Sequence, residues 1–285
     1  MYIFVPSLGG WDGYDKLNFM KVHRHMPKET KLPAISATIA PWFLWYVRKY
    51  QVGKFFHATR ILKDSRPVNL EPEEPLVVYL NHPSWWDPLV CVVASEFFPK
   101  RRHYAPMDAT MLKKYAIFSK LGFFGIEPDA RGALQFLRMG ELVLKTPGSM
   151  LWLTAQGEFK DARVRPPGLK NGLGALLARM EQATVVPLAL EYPFWNEKKP
   201  EAHLAFGKPL RVQDSPRLDS DEWTKLLENA LENTQNRLAD AVCTRDPSRY
   251  ETLLSGKSGV GGVYDLYRRM MAQLRGQRFR SEHSS

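Results

Sequence analysis

The sequence predicts an α/β protein: a mixed, mostly parallel sheet flanked by helices, with N-terminal amphipathic helices and a helical C-terminal extension. Three observations predict it. From residue 68 onward, short apolar runs rich in β-branched and aromatic residues alternate with longer stretches whose apolar positions recur at helical spacing. Before that, residues 36–63 mix aromatic and basic side chains behind a proline; after residue 215 the pattern is helical alone. The chain divides accordingly into an N-terminal helical segment (1–66), an α/β core (67–215) and a C-terminal extension with a tail (216–285). A length of 285 residues suits one large domain with added helices.

Residues 1–35 carry scattered Lys16, Lys21, Arg24, Lys28 and Lys31 and read as irregular. In 36–63, Pro41 opens Trp42-Phe43-Leu44-Trp45-Tyr46-Val47, and Arg48, Lys49, Lys54, Arg60 and Lys63 fall among Val52, Phe55, Phe56 and Ile61. That mixture predicts one or two amphipathic helices. Tryptophan and tyrosine beside cations equip such a helix to lie in a membrane surface, rings at headgroup level and charges on lipid phosphates.

In the core, Leu76-Val77-Val78-Tyr79-Leu80 reads as a buried strand, and Asp87 as N-cap with Pro88 behind it opens a helix to about residue 98. Strands follow at 102–106 and 122–126, with a helix at 109–121 between them. A helix at 131–145 ends near Pro147-Gly148, and Met150 to Thr154 is the next strand, left through Gln156-Gly157. A helix at 169–182 precedes strands at 184–190 and 203–206. Asp221 to Val242 has Leu226, Leu227, Ala230, Leu231 and Leu238 at helical spacing. The run 256–262 is a glycine-rich linker rather than a phosphate loop, since no buried strand leads into it. A short basic helix at 264–275 and a polar tail complete the chain.

Forty Lys and Arg against thirty Asp and Glu give a net charge of +10, which calls for an acidic partner: nucleic acid, an anionic membrane surface or a phosphorylated substrate. The basic residues are dispersed and no RNA- or DNA-binding module is recognisable, so no nucleic-acid partner is expected. The two cysteines, Cys91 and Cys243, form no metal or redox spacing, which fits a reducing compartment, and no metal cluster is expected. No stretch reaches the roughly 18–20 apolar residues of a membrane span, and the N-terminus lacks the charged start and apolar core of a signal peptide. The expected location is the cytoplasmic face of a membrane, held peripherally.

The loop Asn81-His82-Pro83-Ser84-Trp85-Trp86-Asp87 leaves a strand with a histidine and enters a helix with an aspartate. Folded back, the carboxylate can bond one imidazole nitrogen, fixing the tautomer and stabilising the imidazolium. The other nitrogen can then take a proton from a hydroxyl. No serine nucleophile accompanies the pair, so the hydroxyl belongs to a substrate. Spacing alone does not single the pair out, because His103 and Asp108 stand equally far apart.

Order adds to it. N-H-x-S-x-x-D after an apolar strand resembles the first motif of the glycerolipid acyltransferase family, membrane-associated enzymes that acylate glycerol phosphate and lysophospholipids. Residues 119–131, SKLGFFGIEPDAR, resemble the second motif, ending in Arg131; residues 154–159, TAQGEF, stand in place of F-P-E-G-T-R. Leu169-Lys170-Asn171-Gly172 resembles F-K-x-G, and 184–188, TVVPL, the fourth motif. The third motif departs from the family: Gln156 replaces its glutamate, and Glu158 and Phe159 replace its threonine and arginine.

The resemblance implies acyl transfer from a thioester, acyl-CoA or acyl carrier protein, to a hydroxyl of a lysophospholipid or related membrane lipid. It makes His82 the general base and Asp87 its orienting partner, with substrate contacts from Ser84, Arg131, Gln156, Gly157, Glu158, Arg163 and Lys170. No permanently bound cofactor is implied; the partners are the lipid surface and the acyl donor. The altered third motif leaves two alternatives open: a glycolipid or other non-phosphate hydroxyl as acceptor, or a non-catalytic membrane adaptor on the same fold.

Overall fold

The computed structural model describes residues 31–67, 70–215 and 217–256. Most of the expected irregular N-terminal stretch and of the glycine-rich linker, the basic helix at 264–275 and the tail lie outside the described residues. Among them, nine strands form one sheet. In chain order the strands are β1 (Ala58–Leu62), β2 (Leu76–Leu80), β3 (Arg102–Asp108), β4 (Phe123–Ile126), β5 (Ser149–Thr154), β6 (Thr184–Glu191), β7 (Ala202–Phe206), β8 (Leu210–Arg211) and β9 (Tyr250–Ser255). Across the sheet the order is β4-β3-β5-β2-β6-β7-β1-β9, with the short β8 beside β6. β2 pairs in parallel with β5 and β6, β3 with β4 and β5, and β1 with β7; β7 and β8 run antiparallel to β6, and β9 to β1.

The helices are α1 (Ile39–Tyr46), which continues through a π-helical stretch (Val47–Val52) into a last turn (Gly53–Phe55), then α2 (Asp87–Ala94), α3 (Ala109–Lys114), α4 (Ala130–Leu144), α5 (Gly172–Leu177) and α6 (Ser220–Cys243). All five residues of β2 are buried, as a parallel strand covered on both faces requires. Val78 and Leu80 face one apolar cluster with Val186, Leu188, Val47, Val52 and the α2 residues Leu89, Val90 and Val93. Val77 and Tyr79 face the other, with Phe136 of α4, Leu173 and Leu176 of α5, and Trp223 and Leu227 of α6. The strand therefore has the two-sided core that its unbroken apolar run implies. α6 begins in a reciprocal capping box: Asp219 accepts the Asp221 and Glu222 N–H groups, and the Glu222 side chain accepts the Asp219 N–H.

The structure differs from the sequence reading in four places. The helix expected over 36–63 stops at Phe55, and Ala58–Leu62 becomes β1, because its apolar residues bury between β7 and β9. β9 was not anticipated either; it adds to the sheet after α6, so the sheet draws strands from each of the three sequence segments. Asp87 does not cap α2: Trp86 holds the N-cap position without a side-chain bond, and the aspartate is the first helical residue. Its carboxylate is turned back toward the preceding loop. The helices expected over 109–121 and 169–182 are also shorter, the first giving way to a 3₁₀ segment (Ala116–Leu121).

The Tyr79 hydroxyl donates to the Leu227 carbonyl at 2.8 Å in the interior, tying β2 to α6. Tyr79→Phe is expected to lower the unfolding free energy by about 1 kcal/mol, read from the urea midpoint; an unchanged midpoint would show that this bond contributes nothing.

Candidate active site

β2, β5 and β6 are parallel, so their C-terminal ends share one rim of the sheet. The chain leaving each end supplies the site. After β2, Asn81 exchanges two hydrogen bonds with Leu190, side-chain amide to carbonyl at 3.0 Å and backbone N–H to amide oxygen at 2.8 Å. That fixes the start of the loop against β6. His82 follows, buried at 1% exposure, and its Nδ1 lies 2.6 Å from Asp87 Oδ2. The Ser84 N–H donates to the same oxygen at 3.0 Å, and the Tyr192 hydroxyl donates to Oδ1 at 2.6 Å. With Nδ1 engaged, Nε2 is the nitrogen that faces proton chemistry.

The carboxylate of Asp87 has no measurable exposure. Burial pushes its pKa above the ordinary value, while the hydrogen bond and charge of His82, the Tyr192 hydroxyl and the Ser84 amide pull it back. Burial likewise raises the Tyr192 phenol well above its usual range, and Asp87 adds to this, so the phenol stays protonated and donating.

The loop after β5 closes over the histidine. Gln156, also 1% exposed, accepts the His82 N–H on Oε1 at 2.6 Å and donates from Nε2 to the Pro167 carbonyl at 2.7 Å. The Lys160 N–H donates to the His82 carbonyl at 3.0 Å. Gly157 turns the chain between them at φ +68°, in the left-handed region that favours glycine, and its own N–H is spent on the Thr154 carbonyl at 3.2 Å. Phe159 is thereby laid on the imidazole, ring centroids 4.3 Å apart.

An apolar cavity of about 580 Å³ opens beside this arrangement, within the roughly 300–1,000 Å³ typical of small-molecule pockets. Leu80 and Thr154, register partners at the ends of β2 and β5, line it together with Pro88 and Cys91 of α2 and Phe43 and Leu44 of α1. It extends to Arg102 and His103 at the start of β3. Arg102 is in register with Ser149 and Leu80 with Thr154, so the lining residues stand up to five residue steps apart along the sheet, about 16 Å at ~3.3 Å per residue. Trp152, Leu153 and Thr154 line the cavity from β5 itself. His103 at that end is neutral: burial lowers its pKa to about 4, and its Nδ1 accepts the Trp152 indole N–H at 3.0 Å. Asp108, its counterpart by spacing, caps α3 through the Met111 N–H at 2.9 Å.

Of the residues singled out from sequence, His82, Asp87, Ser84, Gln156 and Gly157 come together. Ser84 contributes its backbone N–H to Asp87, while its hydroxyl accepts the Trp86 N–H at 3.2 Å. Both ends of the Gln156 amide are engaged by the protein, so it positions His82. Glu158 pairs with Lys160 at 3.4 Å, and Arg163 is held by Asp161 through two bonds of 2.8 and 2.7 Å. Lys170 donates its backbone N–H to the Ala155 carbonyl, on the same loop as Gln156. Arg131 is not brought to the pair. It opens α4 beside β4, three strands from β2 or about 14 Å at ~4.8 Å per strand, 66% exposed and bonded to Asp129 at 2.8 Å.

Tyr192 was missed. It lies 105 residues from Asp87, and the one available signal was its place directly after an apolar strand that ends on the same rim. Among the described residues no group of three His, Cys, Asp or Glu side chains is disposed to hold a metal ion, and no helix is long and apolar enough to cross a membrane. No protein-family model matches the chain, and no curated protein matches it.

The raised Asp87 pKa fixes a sign. The folded chain binds this proton more tightly than the unfolded chain, so the stability it brings is full below the unfolded value near 3.8 and is lost as pH rises through the folded value. Tyr192→Phe deletes a donor to the ionised form and raises the folded pKa further. The variant is expected to be less stable than the wild type by about 1.5–3 kcal/mol near neutrality, with the gap closing in acid. Denaturation at several pH values checks this; a gap independent of pH would show that the phenol does not serve the ionised carboxylate.

Proposed function

We propose that this protein is a membrane-associated O-acyltransferase, moving a fatty acyl group from a thioester, acyl-CoA or acyl carrier protein, to a hydroxyl of a lysophospholipid or related membrane lipid. The observation that carries the reading is the juxtaposition of the buried His82–Asp87 pair with an apolar cavity whose inner wall begins at Leu80 and Thr154. A chain extended by ~1.2 Å per bond, the advance of a stretched polypeptide, fills about 16 Å with roughly a dozen carbons.

In this reading the acyl tail lies in the cavity and its thioester carbon reaches the rim. His82 Nε2 removes the acceptor proton as the hydroxyl oxygen attacks; Asp87 holds the resulting imidazolium. Collapse of the tetrahedral intermediate breaks the carbon–sulfur bond, and the imidazolium returns its proton to the thiolate. The oxyanion needs donors at the β5 loop. The Gly157 N–H is already committed to the Thr154 carbonyl and the Lys160 N–H to the His82 carbonyl, so neither serves as that donor in this arrangement. Gln156 acts by holding the His82 main chain.

The membrane contact is assigned to α1. Phe43 and Leu44 line the cavity while Trp42 and Trp45 are exposed, so the same helix roofs the slot and presents indoles outward. Lys49 lies 5.4 Å from the Trp45 and Tyr50 ring centroids, and Lys54 5.5 Å from that of Phe55. Rings at the interface with cations beside them are the chemistry of an in-plane anchor on anionic lipid. The cytoplasmic face fits the reduced state of Cys91 and Cys243, both free thiols.

The adaptor alternative draws on Phe159, whose ring covers the imidazole. Thiol release from acyl-CoA, with a lipid acceptor in vesicles, separates the two. Turnover is expected in the wild type and is expected to fall at least a hundredfold in His82→Ala, general-base loss costing about 10²–10⁴, with vesicle binding retained. Undiminished turnover in His82→Ala would end the mechanism; vesicle binding without thioester consumption would establish the adaptor. Trp42→Ala with Trp45→Ala is expected to weaken flotation with anionic vesicles several-fold, and unchanged flotation would remove α1 as the anchor.

A further inference from the structure

The loop that brackets His82 is electrically closed on itself. Lys160 places its ammonium 3.0 Å from the Gly168 carbonyl and 3.4 Å from both the Pro167 carbonyl and Glu158. The Arg163 guanidinium is held by both oxygens of Asp161. Arg165 donates to the carbonyls of Ala162 and Val164 at 2.7 and 2.9 Å and to Asn236 at 2.7 Å. These three cations already have acceptors. What the loop presents over the imidazole is the Phe159 ring, 40% exposed. Trp85, in the loop between His82 and Asp87, and Val164 are exposed to a similar degree, 48% and 43%.

We propose that Phe159 sets the acceptor class: the hydroxyl that reaches His82 belongs to a lipid with no phosphate monoester beside it. The inference rests on the acyl-transfer reading and narrows its acceptor. A phosphate entering past Phe159 meets the electron-rich face of an aromatic ring. It also loses hydration without gaining the charge-assisted donors that make such a transfer tolerable. An uncharged glycerol or polyol backbone presents C–H groups to the ring and keeps its hydroxyl free for Nε2. Arg163, 84% exposed, and Lys170, farther along the loop, are the cations that would have to serve a phosphate instead.

The test compares a 1-monoacylglycerol with the same monoacylglycerol 3-phosphate, each in phosphatidylcholine vesicles with a saturated acyl-CoA as donor. The wild type is expected to favour the uncharged acceptor at least tenfold in kcat/KM. Phe159→Arg is expected to shift that ratio at least tenfold toward the phosphate, and Phe159→Leu to keep the wild-type preference. A wild type that favours the phosphate, losing that preference in Lys170→Ala, overturns the inference while leaving acyl transfer intact. No transfer to either acceptor overturns the acyl-transfer reading and this inference with it. The wild-type ratio decides the matter even if a Phe159 variant fails to fold.

Discussion

The structure depends on seating one carboxylate, that of Asp87, where it has no exposed surface. An unpaired carboxylate at the position of Asp87 would cost several kcal/mol or would take up a proton. Three donors meet that cost: the imidazole of the β2 loop, the Ser84 amide inside it, and the Tyr192 phenol that follows β6. To gather them, β2 must lie beside β6 in a register that puts Leu80 against Leu188, and α2 must start directly under the loop. The Asn81 exchange with Leu190 holds that register at the rim. The geometry of the pair and the order of the central strands are therefore one constraint.

The same constraint separates a wet rim from a dry interior. On one face of β2, α4, α5 and α6 pack down closely, and Trp223, Leu231 and Tyr79 are essentially without exposure. On the other, α1 and α2 stand far enough apart to leave the long apolar cavity, with Pro88 and Cys91 on its wall. Burial, with the charge of Asp87 adding to it, pushes the Cys91 thiol well above its usual pKa, so at the wall it is an apolar group rather than a thiolate. A slot so lined suits an apolar chain, which has no polar groups to satisfy.

How much of this was legible follows from what periodicity can report. The β2 run and the apolar β5 and β6 runs announce themselves because both faces are buried, and α6 does so through its capped start and regular leucines. β1 and β9, the last two strands in the sheet order, are short and half-polar, with Arg60 donating to Thr252 between them, so nothing local distinguishes them from helix or loop. In the site, the His82–Asp87 pair was readable because its partners share one loop. Tyr192 was not, since its role arises only when β6 is laid beside β2. Gln156 looked like a substitution in a substrate-binding position; burial shows an amide whose two ends fasten the histidine's own backbone to Pro167.

The protein also carries the comparison needed to decide what a histidine beside an acid means here. His103 and Asp108 match His82 and Asp87 in spacing, yet one accepts from Trp152 and the other caps α3, so sequence separation does not make a pair. His203 and Glu201 do meet, at 3.1 Å and fully buried, but Glu201 also takes the Arg60 guanidinium at 2.6 Å. Burial alone would raise Glu201; the bonds from His203 and Arg60 outweigh it and bring the carboxyl to about 2. That acid is neutralised by a permanent cation and joins β1 to β7, and its histidine is held below its ordinary pKa chiefly by burial. Asp87 has no arginine or lysine among its hydrogen-bond partners. The group that bonds it in place of a fixed cation is the His82 imidazole, whose hydrogen bond and charge pull the Asp87 pKa down against burial. Of the three, this is the pair in which histidine and acid meet and no arginine or lysine bonds the acid, and Leu80 and Pro88, which flank its loop, line the cavity.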